Sequence, residues 1–403
     1  MKKFFLDDFK YLLLAIFPIL NIYDGINPFN LGTILLILVV LLEITIKKNF
    51  QINLKIGVTM FLLIMINIYT GIISNINIER TINNTIGGMI SFGVLGTFLL
   101  NVDKKSKLKI FQYIKIVSLI STVYIFLQFL FFKMNGVILK GNIVFLNYSE
   151  EGYFKSIEWG RPTSFFVEPA HYVIYTAPIY LILIVNKKFF LASILGLGLI
   201  ISTSSTGIFL AIILPGVLFL KKNLKNKIKF IILIVASVYL FYLIDSHLFF
   251  KTFKKFQFNM LKDNIRISGG VEIFKYLDFS KLLFGIGLNQ LSDFAKQKGV
   301  LISNYSNTFL YTVISFGITG ILIWNIYLYN LYRNLSKKYK LIFLILIFIQ
   351  LSDQIIFNQN LFYLLLIISI CSKISKGESK RSERKFNNNK CQYDFKFREC
   401  NFN

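Results

Sequence analysis

Charge is scarce in this chain. Asp, Glu, Lys and Arg make up 16% of its 403 residues, against 55% hydrophobic residues. An average soluble domain is about 25% charged, so with a mean hydropathy of +0.61 a soluble globule is excluded. Acidic side chains are the rarer sign, 20 against 45 Lys and Arg, for a formal charge of +25. That surplus sits between apolar stretches, which points to lipid and not to nucleic acid. Cysteine is nearly absent: Cys371, Cys391 and Cys400 all lie at or beyond the last apolar run, so no disulfide framework holds the body and free thiols are expected. There are two histidines, no metal-ligand cluster, no nucleotide-binding loop and no obvious repeat. No small-residue cleavage site follows the first apolar run at Pro18-Ile19-Leu20-Asn21, so that run is read as a spanning helix rather than a leader.

What the chain does have is apolar runs. They fall at residues 11–23, 31–46, 54–74, 82–101, 110–132, 171–186, 189–202, 207–220, 228–248, 308–329, 341–351 and 361–372, and at roughly 20 residues per crossing they predict about 12 transmembrane helices. The expected fold class is all-α: a polytopic integral membrane protein with one helical domain over residues 1–372 and a basic, disordered cytoplasmic tail over 373–403. With the N-terminus inside, the inner segments hold 31 of the 45 basic residues, and the short outer loops hold only Arg80. Such an imbalance is the positive-inside signature, and it predicts both termini in the cytoplasm.

Two helix pairs are short. Between Lys188 and Lys221, and between Lys340 and Lys373, the chain has room for helices of about 16 residues, roughly 24 Å of rise against a bilayer core of about 30 Å. Their turns are polar: Ser202-Thr203-Ser204-Ser205-Thr206 in one pair, and residues 352–360 with Asp353 in the other. Either these turns lie below the outer surface, facing protein or a wet cavity, or the bilayer thins around them. Asp353 lines that cavity or is a solvated loop carboxylate.

Two outer segments are long, residues 133–170 and 249–307, and chemistry is expected there. The second is basic, with nine Lys and Arg against four acidic residues, which suits an anionic group such as a pyrophosphate. In it Phe249, Phe253, Phe256 and Met260 share one helical face, with Lys251, Lys254 and Lys255 between them. That pattern reads as a basic amphipathic helix in the headgroup plane or as a surface helix on the bundle. The first segment ends Gly160-Arg161-Pro162-Thr163-Ser164-Phe165-Phe166-Val167-Glu168-Pro169-Ala170-His171. A guanidinium offers a fork for phosphate oxygens, and a carboxylate near a low-dielectric boundary can take a proton from a sugar hydroxyl. Arg161 and Glu168 could equally pair with each other, and His171 at a helix start serves as a base or as an interfacial hydrogen-bonding residue.

The string from Arg161, with Arg-Pro-Thr-Ser-Phe-Phe-x-Glu-Pro followed by Tyr172, resembles the oligosaccharide repeat-unit polymerases of bacterial surface polysaccharides, the Wzy or O-antigen polymerase type. Three further elements agree, in the same order. The Ser-rich turn 202–207 is similar to the family's turn between adjacent spans. Arg266 with Leu283-Phe284-Gly285-Ile286-Gly287 is similar to its second outer-loop arginine and Phe-Gly-x-Gly segment. Ser306-Asn307-Thr308-Phe309 before Gly317 and Gly320 is similar to its His-Asn element, except that Ser306 stands where the family often has His.

The resemblance implies a multi-span architecture of the GT-C-like glycosyltransferase and O-antigen ligase kind in the bacterial cytoplasmic membrane. It implies transfer of a glycan from undecaprenyl pyrophosphate to the non-reducing end of another lipid-linked repeat unit, with no cofactor or metal. Arg161 and Arg266 would bind the pyrophosphate, or Arg266 would contact lipid headgroups only. Glu168 would be the general base with His171 second, and Asn307, Ser204 and Ser205 would orient sugar or phosphate oxygens. Implied partners are the lipid-linked oligosaccharide, membrane lipids, a chain-length regulator and a flippase. An O-antigen ligase is the nearest alternative and a lipid-linked oligosaccharide flippase a more distant one.

Overall fold

The computed structural model describes residues 2–26, 29–47, 54–74, 78–143, 145–148, 160–220, 271–300 and 306–372, with the isolated positions 239, 242, 246 and 250. Among these the chain is helical, and no strand forms beyond three isolated bridges: Tyr23 with Tyr148, Ile26 with Phe29, and Leu335 with Ser372. The ninth apolar run, the Phe249 to Met260 amphipathic pattern, Arg266 and the tail lie outside the described residues, apart from the isolated positions.

The first half comprises α1 (Lys2–Ile16), α2 (Leu31–Lys47), α3 (Leu54–Ser74), α4 (Ile78–Asn84), α5 (Ser91–Leu100) and α6 (Lys104–Asn135). The second comprises α7 (Pro169–Val185), α8 (Phe189–Ile201), α9 (Ser205–Leu220), α10 (Phe279–Phe284), α11 (Leu291–Gln297), α12 (Thr308–Asn334), α13 (Leu341–Ser352) and α14 (Gln359–Ile370). The stretches Thr81–Leu100, Lys105–Asn135 and Thr308–Asn334 are long and apolar enough to cross a membrane, and six further apolar helices are shorter. Helix α6 shows how local chemistry sets the bounds. The Asp103 carboxylate accepts from Ser106 N at its start, and Gly136, at φ 70°, closes its end with its N–H on Phe132 O.

Helix α7 forms the centre. It packs against α6, α8, α9, α13 and α14, and residues 172–184 are buried on every side, as expected for a helix apolar all round. Where neighbours are as apolar as lipid, hydrogen bonds and close packing hold helices together. Here tyrosines supply those bonds. Tyr175 OH donates to Ala15 O at 2.7 Å, Tyr363 OH to Tyr175 O at 2.6 Å and Tyr180 OH to Ala211 O at 2.9 Å.

The bundle has two chemically different ends. At one, Lys10 meets Glu43 at 2.5 Å, Lys109 meets Asp8 at 2.8 Å and Lys107 donates to Ser372 at 3.2 Å. At the other lie the starts of α2, α7 and α12 and the turns α8–α9 and α13–α14, joined by hydroxyl and amide contacts. The two hairpins are as short as the sequence predicts, with helices of 13 and 16 residues in one and 12 and 12 in the other. Their turns are inside protein: Ser202, Thr203, Ser204 and Asp353 are all buried.

Three expected helices are interrupted. The run at 11–23 leaves α-helical geometry after Ile16 and goes on as a turn and a 3₁₀ segment, Ile19–Ile22. The run at 82–101 contains one π-helical turn, Thr85–Ile90, a feature found often at functional sites. The run at 308–329 breaks at Gly317, where φ is 66° and ψ −168°. The break is occupied by the Phe-Gly-x-Gly segment, expected as an outer loop but inserted into the bundle. Ile286 N donates to Ile314 O at 2.9 Å, Gly287 N to Ser315 O at 3.0 Å, and Thr319 Oγ1 to Leu283 O at 2.8 Å. Carbonyls freed by the kink thus find donors, as backbone at this depth requires. Gly285 and Gly317 both have positive φ, and a Cβ on either would overlap the other segment's backbone.

Candidate functional site

The Arg161 loop is built on one buried amide. Gln128, fully buried on α6, accepts through Oε1 from Thr163 N at 3.1 Å and Ser164 N at 2.7 Å. Its Nε2 donates to Leu139 O at 2.8 Å and Ser164 O at 3.4 Å. Ser164, in the left-handed region at φ 56°, donates its hydroxyl to Ser121 O at 2.8 Å. The preceding loop closes over it at Gly141, where any Cβ would overlap the Ser164 carbonyl. That loop is itself tied back by Tyr23, whose hydroxyl accepts from Ile143 N at 2.5 Å.

This scaffold carries Arg161 to the Ser-rich turn. Its Nε donates to Thr203 Oγ1 at 3.3 Å and its Nη2 to Thr203 O at 3.4 Å. Thr203 is itself at φ 56°, a conformation uncommon for a β-branched residue and held here by the surrounding packing. Two motifs separated by about 40 residues in sequence are therefore one site. Ion pairs among the described residues include Lys10–Glu43, Lys109–Asp8 and Lys281–Asp278.

The other predicted residues divide. Glu168 begins α7 with its backbone, its O accepting from His171 N at 3.1 Å and Tyr172 N at 3.4 Å, and its carboxylate makes no cap bond. Glu168 and His171 are half-buried. Ser204 is buried and Ser205 half-buried in the α8–α9 turn, beside the residue that holds Arg161. Asn307 caps α12, its Oδ1 accepting from Leu310 N at 2.9 Å, which is a structural duty not foreseen for it. Next to it Thr308 both donates and accepts. Its N and Oγ1 donate to Asp353 O at 3.1 and 2.7 Å, and Oγ1 accepts from Ile355 N at 2.9 Å. The Ser306-Asn307 element is thereby fastened to the α13–α14 turn, with Asp353 buried there and its Oδ1 accepting from Gln354 N.

A second feature lies at the polar 352–360 turn, for which the sequence left a wet cavity open without showing its lining; Asp353 is not among the lining residues. At the same end a cavity of about 280 Å³ opens between α2, the π turn, the segment at 288–289 and the α13–α14 turn. Its polar wall is Thr33, Asn83, Asn289, Gln354, Asn358 and Gln359, and its apolar wall includes Phe29, Phe357 and Phe362. None of the described residues lining it is charged. The only signal of that lining was the density of amides in residues 354–360.

Compared with known protein families, curated proteins and solved structures, the chain matches none.

Proposed function

We propose that this chain is a repeat-unit polymerase of bacterial surface polysaccharide, a membrane glycosyltransferase. On this reading it has twelve spans, both termini lie in the cytoplasm, and the end carrying Arg161 and the cavity faces outward. The observation that supports it best is the seating of Arg161 on Thr203, which joins two elements of the family resemblance that the chain keeps far apart. A guanidinium beside a hydroxyl-rich turn at a bundle end is suited to a lipid-linked pyrophosphate, where it would stabilise the charge that develops as that group leaves.

In the proposed reaction an acceptor sugar oxygen bonds to the donor's anomeric carbon as the bond from that carbon to the pyrophosphate oxygen breaks. The acceptor's proton passes to the Glu168 carboxylate, or to His171, and undecaprenyl pyrophosphate departs. Arg161, with Arg266 from the second segment, neutralises the leaving group. Asn307 has its Oδ1 engaged by Leu310 N, leaving its Nδ2 as the donor for a substrate oxygen, with Ser204 and Ser205 alongside.

The test is the polysaccharide ladder of a deletion strain complemented with wild-type, Arg161→Ala, Glu168→Ala or Arg266→Ala chains of matched expression. Loss of the ladder, with a single repeat unit still delivered to the surface acceptor, is expected from each variant. Long polymer accumulating on undecaprenyl pyrophosphate would mark a ligase, and repeat units trapped inside the cell a flippase. Normal ladders from all three variants would overturn the site.

A further inference from the structure

We infer that the amide-lined cavity is a binding site for an uncharged sugar ring, distinct from the anionic site at Arg161. The inference starts from what lines it. Side-chain amides each offer both donors and acceptors, the pattern needed by a ring bearing several hydroxyls, while Phe29, Phe357 and Phe362 provide apolar faces. The described lining holds no charged residue, which disfavours a phosphate or pyrophosphate group, whose recognition calls for Arg or Lys. Its volume, about 280 Å³, lies at the small end of ligand pockets, near 300 Å³, and suits one ring better than a lipid chain.

The walls are also set in advance. Gln359 Nε2 donates to Thr33 Oγ1 at 2.8 Å, and Thr33 Oγ1 donates to Asn30 Oδ1 at 2.9 Å. Asn358 Nδ2 donates to Gln354 O at 3.0 Å, and Tyr311 OH donates to the Asn289 side chain while accepting from Asn289 N. Leu288 N is anchored on Asn67 Oδ1 at 2.8 Å, and Asn67 in turn donates to Thr85 at the start of the π turn. Two wall residues carry positive φ, Asn289 at 57° and Phe357 at 58°. For an aromatic residue that conformation is an outlier, and such strain collects at ligand sites. Its persistence here is explained by packing of Phe357 against Phe92, Phe316 and Trp324.

Assigning the bound ring to the acceptor glycan rests on the polymerase reading, whereas binding of a neutral sugar does not. The experiment uses the full-length chain in nanodiscs and saturation-transfer NMR. The probes are neutral methyl glycosides of gluco, galacto, manno, rhamno and 2-acetamido configuration, with inorganic pyrophosphate as the anionic probe. At least one glycoside should bind the wild type, and its affinity should fall about tenfold in Asn83→Ala/Gln354→Ala, which removes hydrogen bonds worth roughly that much together. Gly88→Leu should abolish binding by filling the cavity. Gly88→Ala should change it less than about threefold, because the added methyl meets Leu288 and Phe357 at 3.5 and 3.8 Å, ordinary contact distances. Arg161→Ala should weaken pyrophosphate binding and leave the glycoside unaffected. Trp324 fluorescence, from a residue packed on Phe357, checks that each variant is folded. The inference is overturned if none of the glycosides binds the wild type, or if binding ignores the cavity variants. If the glycoside result holds while Arg161→Ala, Glu168→Ala and Arg266→Ala all give normal ladders, the proposed polymerase site falls and the sugar site stands.

Discussion

Gln128 shows how one side chain decides where a distant one sits. It holds the backbone of Thr163 and Ser164 and thereby the base of the Arg161 loop. Gln128→Leu would leave two buried N–H groups and the Leu139 carbonyl without a partner, at about 1–3 kcal/mol for each group. The expected result is a lower unfolding midpoint in detergent and a ladder lost along with it. Gln112→Leu, on an exposed face of the same helix, should change stability by less than about 0.5 kcal/mol. Equal effects from the two variants would remove Gln128 from the account. The sequence singled out Arg161 and Glu168 because charges stand out against apolar runs. Gln128, Asn67 and the cavity amides did not stand out, since their meaning lies in partners as far away as 326 residues, the spacing of Gln359 and Thr33.

At the scale of elements, periodicity and charge were enough to find the apolar helices among the described residues and the short hairpins, because both are properties of contiguous sequence. What they did not show was the insertion of residues 283–287 into the break of α12, which depends on two glycines 32 positions apart fitting backbone against backbone. Gly285 and Gly317 look like loop and helix glycines when read singly. Together they form a contact without room for a Cβ on either side. Gly285→Ala or Gly317→Ala therefore combines a positive φ with a backbone overlap, and either should cost several kcal/mol, more than the ~1–3 kcal/mol of φ strain alone. Little folded protein should then survive size-exclusion chromatography. Gly96→Ala is the contrasting case, also on a helix but with its nearest neighbour, Leu365 Cδ1, at 3.4 Å, and it should elute as the wild type does. Since the inserted segment also carries Leu288 and Asn289 into the cavity wall, folding and site formation are coupled through this one junction.

For the molecule as a whole, the two ends separate two kinds of chemistry, and the last described residues belong to the lysine end. Ser336 N donates to Cys371 O at 3.1 Å and Lys107 to Ser372, so the chain is stapled up to that point. A stop codon after Lys373 should leave the ladder intact, while one after Ile370 should reduce it by removing both contacts.

The division into ends also makes the proposed topology measurable. On the proposed topology the lysine end is cytoplasmic and the amide and hydroxyl end faces outward. With Cys391 and Cys400 replaced by Ser, Cys371 is the one native thiol left, and at 2% exposure it is closed to a bulky reagent. Single cysteines can then be placed at exposed positions: Glu79→Cys and Val137→Cys at the amide end, Lys187→Cys and Lys338→Cys at the other. A membrane-impermeant maleimide added to intact cells should label the first two at once and the second two only after permeabilisation. Labelling in the opposite order would invert the molecule and put both Arg161 and the sugar cavity in the cytoplasm, where nucleotide sugars and not a flipped lipid-linked glycan would be the available donors. Labelling of Lys338→Cys together with Val137→Cys would mean an odd number of crossings between α6 and α12 has been miscounted, and the residues around 228–248 would be the place to look for the missing or extra span.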